Sequence, residues 1–380
     1  MRITAPHILH VAQPVEGGVA RVVTDLAAAQ LAAGLRVTVA CPEGGALTGA
    51  LRALGCPVLR WDATRSPGPR LPREVGRLGR LVREVRPDLV HAHSAKAGLA
   101  VRLAVRGGLP TVFQPHAWSF EAADGLVGRL ALGWERFGAR WATRVVCVSE
   151  AERRTGERHG IAAAWRVVPN GVDTGRFRPD GSGVRSGAGP LVVCVGRLCR
   201  QKGQDVLLAA WPEVVRRVPG ARLVLVGDGP DGERLRSGAP ASVEFAGAIS
   251  DTAPWYRAAD VVVLPSRWEG MALAPLEAMA CARPVVVTDV DGARESLPPG
   301  HAPSCLVPPE DPAALAGALT ALLRDEPLRA SLGARGRAYM LDAHDLRHVT
   351  DAVTDLYREL LGVAAAPVVG LSEGRKCITT

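Results

Sequence analysis

The stretch VVVLPSRWEGMALAPLEAMACARPVVVTD, residues 261 to 289, decides how the rest of the chain is read. A β-branched run stops at Pro265, and a polar turn then carries Arg267, Trp268 and Glu269. Gly270, Met271, Ala272 and Leu273 follow before Pro275, a residue suited to the first helical position. The spacing predicts a helix from Pro275 and a second strand at PVVVTD. Strand, turn, helix and strand make a βαβ unit, and that crossover implies a parallel sheet.

The same alternation runs almost from end to end. The earlier strand candidates are HILHVA, RVTVA, PVLRW, DLVHAH, PTVFQ and RVVCVS; the later ones are LVVCVG, RLVLVG, VEFAG, VVVLP, PVVVTD and CLVP. Helical patterns such as 19–33 and 203–217 separate them. Two sets of about six strands in 380 residues predict an α/β protein of two Rossmann-like domains. The expected boundaries are 1–178 for the first domain, 179–189 for a Gly-, Ser- and Pro-rich linker and 190–344 for the second domain. Residues 345–361 form a helix whose apolar face, including Leu346, Val349, Val353, Leu356 and Tyr357, must dock on something. The tail 362–380 has no such pattern and is expected to be disordered; its CITT ending resembles a prenylation box only superficially.

Composition narrows the class. Hydrophobic residues make up 47% and charged residues 22%, and no apolar run approaches the ~20 residues of a membrane span. The start lacks a signal-like apolar region, so a cytoplasmic protein is expected. The eight cysteines have no C-x-x-C spacing and read as small buried hydrophobes in a reducing compartment. The net charge is +8, and Arg60 to Arg86 holds eight arginines against Asp62, Glu74 and Glu84. Such a surface suits anionic partners such as a phospholipid face, or is a solvated helix side. Without zinc-finger spacing or an RNP-like motif, nucleic acid is not expected.

Open parallel sheets bind ligands outside the carboxyl ends of their strands, and the chemistry-bearing residues cluster there. After LVVCV come Gly196, Arg197 and Lys202 at a helix start, a place for a diphosphate. Gly227-Asp228-Gly229 follows the next strand; it serves equally as a tight turn or a ligand loop. Glu269 and Glu277, one in the turn and one on the helix, suit two sugar diols, since a carboxylate accepts two hydroxyl hydrogen bonds. An acid/base pair, or a solvated glutamate with a dipole-stabilised one, is the competing reading. Asp289 and Asp291 match a D-x-D metal motif, which an Asp-Gly turn explains more simply, and no metal is expected. The first domain offers Gly17 and Gly18 at its first helix start, His91 and His93 closing one strand, and His116 closing the next. A strand-end histidine is either a functional group or a satisfied structural imidazole.

Taken together, the GG after the first strand, HAW at 116, PNGVD at 169–173, GRLCRQKG at 196–203, VGDGP at 226–230 and EGMALAPLEAMACARPVV at 269–286 resemble the retaining glycosyltransferases of family 4 over about residues 5 to 361. The resemblance implies the GT-B fold, two Rossmann-like domains facing a central cleft with the C-terminal helix crossing back to the first. It further implies that Arg197 and Lys202 hold the donor diphosphate, Glu277 the nucleotide ribose, and Glu269, with the amides of Gly270, Met271, Ala272 and Leu273, the donor sugar. His116 would stand beside that sugar, and Gly18 would close over the phosphates. Asp291-Gly292 departs from the Gly-Gly usual there.

The implied reaction transfers a hexosyl or N-acetylhexosaminyl group from a nucleotide diphosphate sugar, UDP-linked first and GDP-mannose second, with no cofactor required. A glycan or lipid-linked acceptor in cell-surface polysaccharide or glycolipid synthesis is expected, with contact to an anionic membrane as a peripheral option. A small soluble acceptor, a sugar-nucleotide epimerase and a non-catalytic nucleotide-binding protein are the alternatives. The segment 124–142 sets Leu126, Leu130, Trp134, Phe137 and Trp141 along one stripe, which a core-facing or a membrane-facing helix would share, the core-facing orientation being the first expectation.

Overall fold

The computed structural model describes residues 5–184 and 187–363. Valine, leucine and isoleucine dominate the strands, as burial on both faces of a parallel sheet requires. Seven strands, β1 (His7–Ala12), β2 (Arg36–Cys41), β3 (Val58–Arg60), β4 (Leu89–His93), β5 (Thr111–Gln114), β6 (Arg144–Cys147) and β7 (Trp165–Val167), form one parallel sheet in the order β3-β2-β1-β4-β5-β6-β7. Six more, β8 (Leu191–Val195), β9 (Arg222–Val226), β10 (Val243–Gly247), β11 (Val261–Leu264), β12 (Val285–Thr288) and β13 (Leu306–Val307), form the second in the order β10-β9-β8-β11-β12-β13. Strand order reverses between β1 and β4 and between β8 and β11. Those switch points open a crevice at the carboxyl ends, and the loops after β1, β8 and β11 line it.

The sequence pattern did not disclose β7. Its three residues, Trp165, Arg166 and Val167, pair with Val145 to Cys147 at the sheet edge, too short a run to show a period. The helix after β11 spans Leu273–Ala280, so it starts two residues before Pro275. Proline is tolerated there because the first four helical amides have no intrahelical partner.

The last helix, Leu346–Leu361, returns to the first sheet. Its Val353, Leu356 and Tyr357 share one core with Ile8, Leu26, Leu89, Val112, Val146 and Val168. The crossing is pinned where Val172 pairs with Asp345 and Thr174 Oγ1 donates to the Asp345 carboxylate at 2.5 Å. This is the GT-B architecture. Seven of the cysteines are buried free thiols. Cys377, the CITT ending and the rest of 364–380 lie outside the described residues.

The helix Gly125–Gly138 corrects the expectation that its apolar stripe faces the core. Leu126, Val127, Leu130 and Phe137 are 67%, 64%, 65% and 44% exposed. Its inward side instead presents Gly128, Gly138 and Glu135, whose carboxylate pairs with buried Arg102 at 2.8 Å. Only small residues fit at the two glycines: an added side-chain carbon at Gly128 would meet the Ala123 carbonyl just before the helix, and at Gly138 the Trp134 ring of the same helix and the Arg102 guanidinium at 3.2 Å. Among the described residues no helix is long and apolar enough to cross a membrane.

Candidate active site

One lip of the crevice is charged. β8 runs out into Gly196 and Arg197, and a single 3-10 turn, Arg200–Lys202, brings Lys202 back over the strand end. Lys202 Nζ stands 2.5 Å from Glu269 Oε1, which also accepts the Ser266 hydroxyl at 2.7 Å. Gln201 donates to the Trp268 carbonyl at 3.1 Å. Glu269 is only 8% exposed, so these partners fix its orientation before any ligand arrives. Arg267 faces away from this pair: its guanidinium forks onto Asp205 at 2.9 Å and reaches Glu310 at 2.9 Å, contacts that raise its pKa and anchor the turn.

The glycines beside this lip are there for backbone packing. An added Cβ on Gly203 would meet the Pro265 carbonyl at 2.0 Å, and on Gly227 and Gly229 the carbonyls of Gly196 and Leu198 at 2.1 and 2.2 Å. Gly227-Asp228-Gly229 therefore lays one strand-end loop against another. Close loop packing accounts for the motif.

Glu277 has different company. Its carboxylate accepts the Tyr256 hydroxyl at 2.7 Å. Burial raises its pKa, while Tyr256, Arg21 and Arg176 favour the charged form. Asp25 shares this surrounding and is pushed up to about 7 by burial, with Arg21 opposing. Tyr256, Arg21, Arg176 and Asp25 carried no motif in the sequence; Arg21 and Asp25 share the helix Gly17–Ala32, the other two lie elsewhere, and only folding gathers them. The two glutamates of residues 269–277 thus look into two environments, one built on lysine and hydroxyl, the other on phenol and arginine.

Around His116 the opposite lip is neutral, whereas Arg21 and Asp25 on its first helix, Gly17–Ala32, stand near Glu277. Gly17, at a φ of 77°, starts the helix Gly17–Ala32, and a side chain on Gly18 would meet Leu273 at 3.6 Å. The helix-start amides of the first domain therefore sit against the helix that carries Glu277. His116 follows β5 at a φ of 60°, in the left-handed region that non-glycine residues seldom occupy. Burial drops its pKa to about 3, which leaves the imidazole uncharged. An added Cβ on Gly270 would come within 3.0 Å of the His116 carbonyl carbon, so the Glu269 turn rests on the His116 backbone. Ser149 Oγ donates to the Gly270 carbonyl at 2.9 Å and Asn170 Nδ2 to that of Met271 at 2.7 Å. His91 and His93 do not line the crevice; they are fully buried beneath it with His10.

The two domains also meet through carboxylates, Glu295, which carried no motif in the sequence, and Asp291. Glu295 accepts the amides of Glu150 at 2.7 Å and Ala151 at 2.8 Å, capping the helix Glu150–Arg158 across the domain seam. Thr155 Oγ1 donates to Asp291 at 2.6 Å, while Asp289 pairs with Arg294. The D-x-D carboxylates thus have separate partners and do not form one ligand set. Gly292 remains glycine for a reason: a Cβ there would strike the Gly270 carbonyl at 1.9 Å. Asp291, in place of the usual first glycine, serves the seam.

With that geometry in hand, the comparisons are consistent. Residues 16–176 match the family model described as Glycosyltransferase Family 4, and residues 189–325 match that of Glycosyl transferases group 1. The chain is 33% identical over 331 residues to a GDP-mannose-dependent alpha-(1-6)-phosphatidylinositol monomannoside mannosyltransferase of Mycobacterium tuberculosis, covering 80% of this chain and 84% of that one. It is 32% identical to a D-inositol 3-phosphate glycosyltransferase of Saccharomonospora viridis over 84% of this chain and 77% of the other. Among solved structures, HepE of Anabaena with UDP and glucose superposes with a TM-score of 0.79 at 22% identity, covering 93% of this chain and all of that one. Sucrose-phosphate synthase of Thermosynechococcus elongatus gives 0.80 at 24%, covering 94% and 99%.

Proposed function

The chain belongs to the family 4 glycosyltransferases, and on that premise we propose that it moves a hexosyl group, with retention of configuration, from a nucleoside diphosphate sugar to a hydroxyl of a lipid-linked or cell-surface glycan acceptor. The observation that carries the reading is the Lys202–Glu269 pair, held at 2.5 Å on the second domain while the same turn lies against the His116 backbone of the first. One ammonium and one carboxylate so close can serve the two sides of a single glycosyl–phosphate bond.

In this reading Arg197, Lys202 and the Gly17–Gly18 amides take the diphosphate, Glu277 with Tyr256 takes the ribose, and Glu269 takes sugar hydroxyls. As the anomeric carbon–oxygen bond breaks, its electrons go to the diphosphate, where fixed cations and amides stabilise the growing charge. The acceptor oxygen bonds to the anomeric carbon from the face the diphosphate leaves, and its proton passes to a phosphate oxygen. No protein nucleophile is required. Closing the crevice excludes the water that would hydrolyse the donor.

The GDP-mannose-dependent mannosyltransferase that matches 80% of the chain supports GDP-mannose over a UDP-sugar as donor. The exposed Leu126, Val127, Leu130 and Phe137, flanked by Arg129, Arg136 and Arg140, support docking of the first domain on an anionic membrane, where a lipid-linked acceptor resides. A thermal-shift panel of GDP, UDP and their sugars, followed by mass spectrometry of products, tests the donor and the transfer. Stabilisation by neither nucleotide would sink the reading. Flotation with phosphatidylglycerol vesicles tests the membrane face, and a Leu126→Glu, Leu130→Glu double variant should stay in solution.

A further inference from the structure

His91 and His93 are two residues apart on β4 and so point to the same face, and His10 sits beside His91 on the neighbouring β1. All three are fully buried. Gln30 Oε1 lies 2.8 Å from His10 Nε2, His10 Nδ1 lies 2.9 Å from His93 Nε2, and His93 Nδ1 lies 3.3 Å from His116 Nε2. A row of rings thus runs from the core to the crevice.

Each contact in the row needs one proton, and each neutral imidazole carries one. Burial lowers the pKa of every ring in it, His10 to about 4 and His116 to about 3, so all are neutral at physiological pH. Three rings then supply three protons to three contacts, and one end decides the direction of the whole row. Gln30 Oε1 can only accept, which puts the His10 proton on Nε2. His10 Nδ1 must then accept from His93 Nε2–H, and His93 Nδ1 from His116 Nε2–H.

Burial raises the pKa of Tyr357 on the last helix and the neighbouring Gln30 side chain opposes that shift, while the Gln30 amide nitrogen is buried without a hydrogen-bond partner. Tyr357 stands 2.5 Å from His91 Nδ1, and His91 Nε2 and the Gln114 oxygen are both buried without a hydrogen-bond partner. With the Gln30 oxygen on His10 Nε2, the three contacts of the row agree in direction.

The three buried histidines could instead hold a metal ion, since their ligand atoms lie within 4.8 Å of one another. Nitrogens sharing a tetrahedral zinc at ~2.0 Å stand roughly 3.3 Å apart. The 2.9 Å between His10 and His93 is a hydrogen-bond distance, so the row is hydrogen-bonded.

We propose that Gln30, His10 and His93 are positioning residues that fix the tautomer of His116, keeping its proton on Nε2 and leaving Nδ1 as a lone pair that accepts a hydrogen bond from a hydroxyl of the donor sugar. The role given to the lone pair rests on the donor-site reading above; the tautomer does not. Tyr357 ties the setting to the docked last helix, so the crossing helix reaches the crevice chemistry without touching the donor.

Long-range ¹⁵N–¹H spectra of the full chain, labelled in histidine, read which ring nitrogen carries the proton. The expected result at pH 7 is Nε2–H at His10, His93 and His116 without any ligand. Gln30→Met, nearly isosteric but only a weak acceptor for an N–H, should turn all three rings into tautomer mixtures together and lower kcat about tenfold with little change in donor KM. Tyr357→Phe should do the same to a smaller extent. A proton on His116 Nδ1 in the wild type, or rings unmoved by Gln30→Met, overturns the proposal. So does stoichiometric uptake of Zn²⁺ that shifts His10, His91 and His93 together. Adding the sugar nucleotide separates the two readings: an unmoved His116 resonance counts against the donor site while the tautomer assignment stands.

Discussion

The two lips of the crevice solve opposite problems. The second domain presents formal charge: Arg197 and Lys202 after β8, Glu269 after β11, and Glu277 on the helix that follows. Around His116 the first is neutral, because burial holds that imidazole uncharged and pushes Glu152, beside the same Gly270 turn, up to about 8, while its charged Arg21 stands with Asp25 near Glu277. A departing diphosphate needs fixed cations on one side. On the other, a neutral surface can hold hydroxyls without competing for that charge. The difference teaches that a strand-end cluster should be judged by what neutralises it: Lys202 and Glu269 neutralise each other, whereas the histidines are neutral by desolvation.

Removing charge from the second lip should do the most damage. Lys202→Ala is expected to lower kcat by more than ~10²-fold, and Arg197→Ala by about 10²-fold, in steady-state donor consumption. Lysine loss should be the worse because it also strands the buried Glu269 carboxylate without its ammonium. A larger effect at Arg197 would break the pairing argument. Next, Glu277→Ala should weaken nucleotide binding by roughly 10- to 100-fold in calorimetry, and Tyr256→Phe by about threefold. Unchanged affinity in both would detach the ribose from this glutamate.

A subtler probe is Glu152 on the neutral lip, whose carboxylate accepts the Val148 amide at 2.7 Å. Its folded pKa of about 8 lies above the ordinary 4.5, so the stabilisation from its proton is full below pH ~4.5 and is lost as pH rises through about 8. Glu152→Gln imitates the protonated acid. Its melting temperature relative to wild type should therefore rise between pH 6 and pH 9, and a flat difference would show that the carboxylate is already ionised. The smallest effect belongs to the seam: Glu295→Ala removes a helix cap worth ~1 kcal/mol and should lower the melting temperature by a few degrees or less.

Much of this was legible in the residues. Alternating β-branched and helical runs disclosed both sheets, and strand-end glycines, cations and carboxylates marked the crevice before any coordinates. What stayed hidden had physical reasons. Trp165 to Val167 is an edge strand too short to show a period. The stripe of Leu126, Leu130 and Phe137 looks the same whether it faces a core or water; the small residues Gly128 and Gly138 on the other side decided it, and their packing is tertiary information. Tyr256, Arg21 and Asp25 reach Glu277 from elements far apart in the chain. His10 read as one more strand residue, because nothing local reveals that β1 pairs with β4.

The crossing of the last helix has a further consequence for synthesis on the ribosome. Ile8, Leu26, Leu89 and Val112 are made well before their covering surface, Val353, Leu356 and Tyr357. The nascent first half must wait, with that apolar patch uncovered, while the whole second sheet is translated. Chaperone dependence during translation, and sensitivity to any stop codon placed shortly before residue 346, should follow from this order of manufacture.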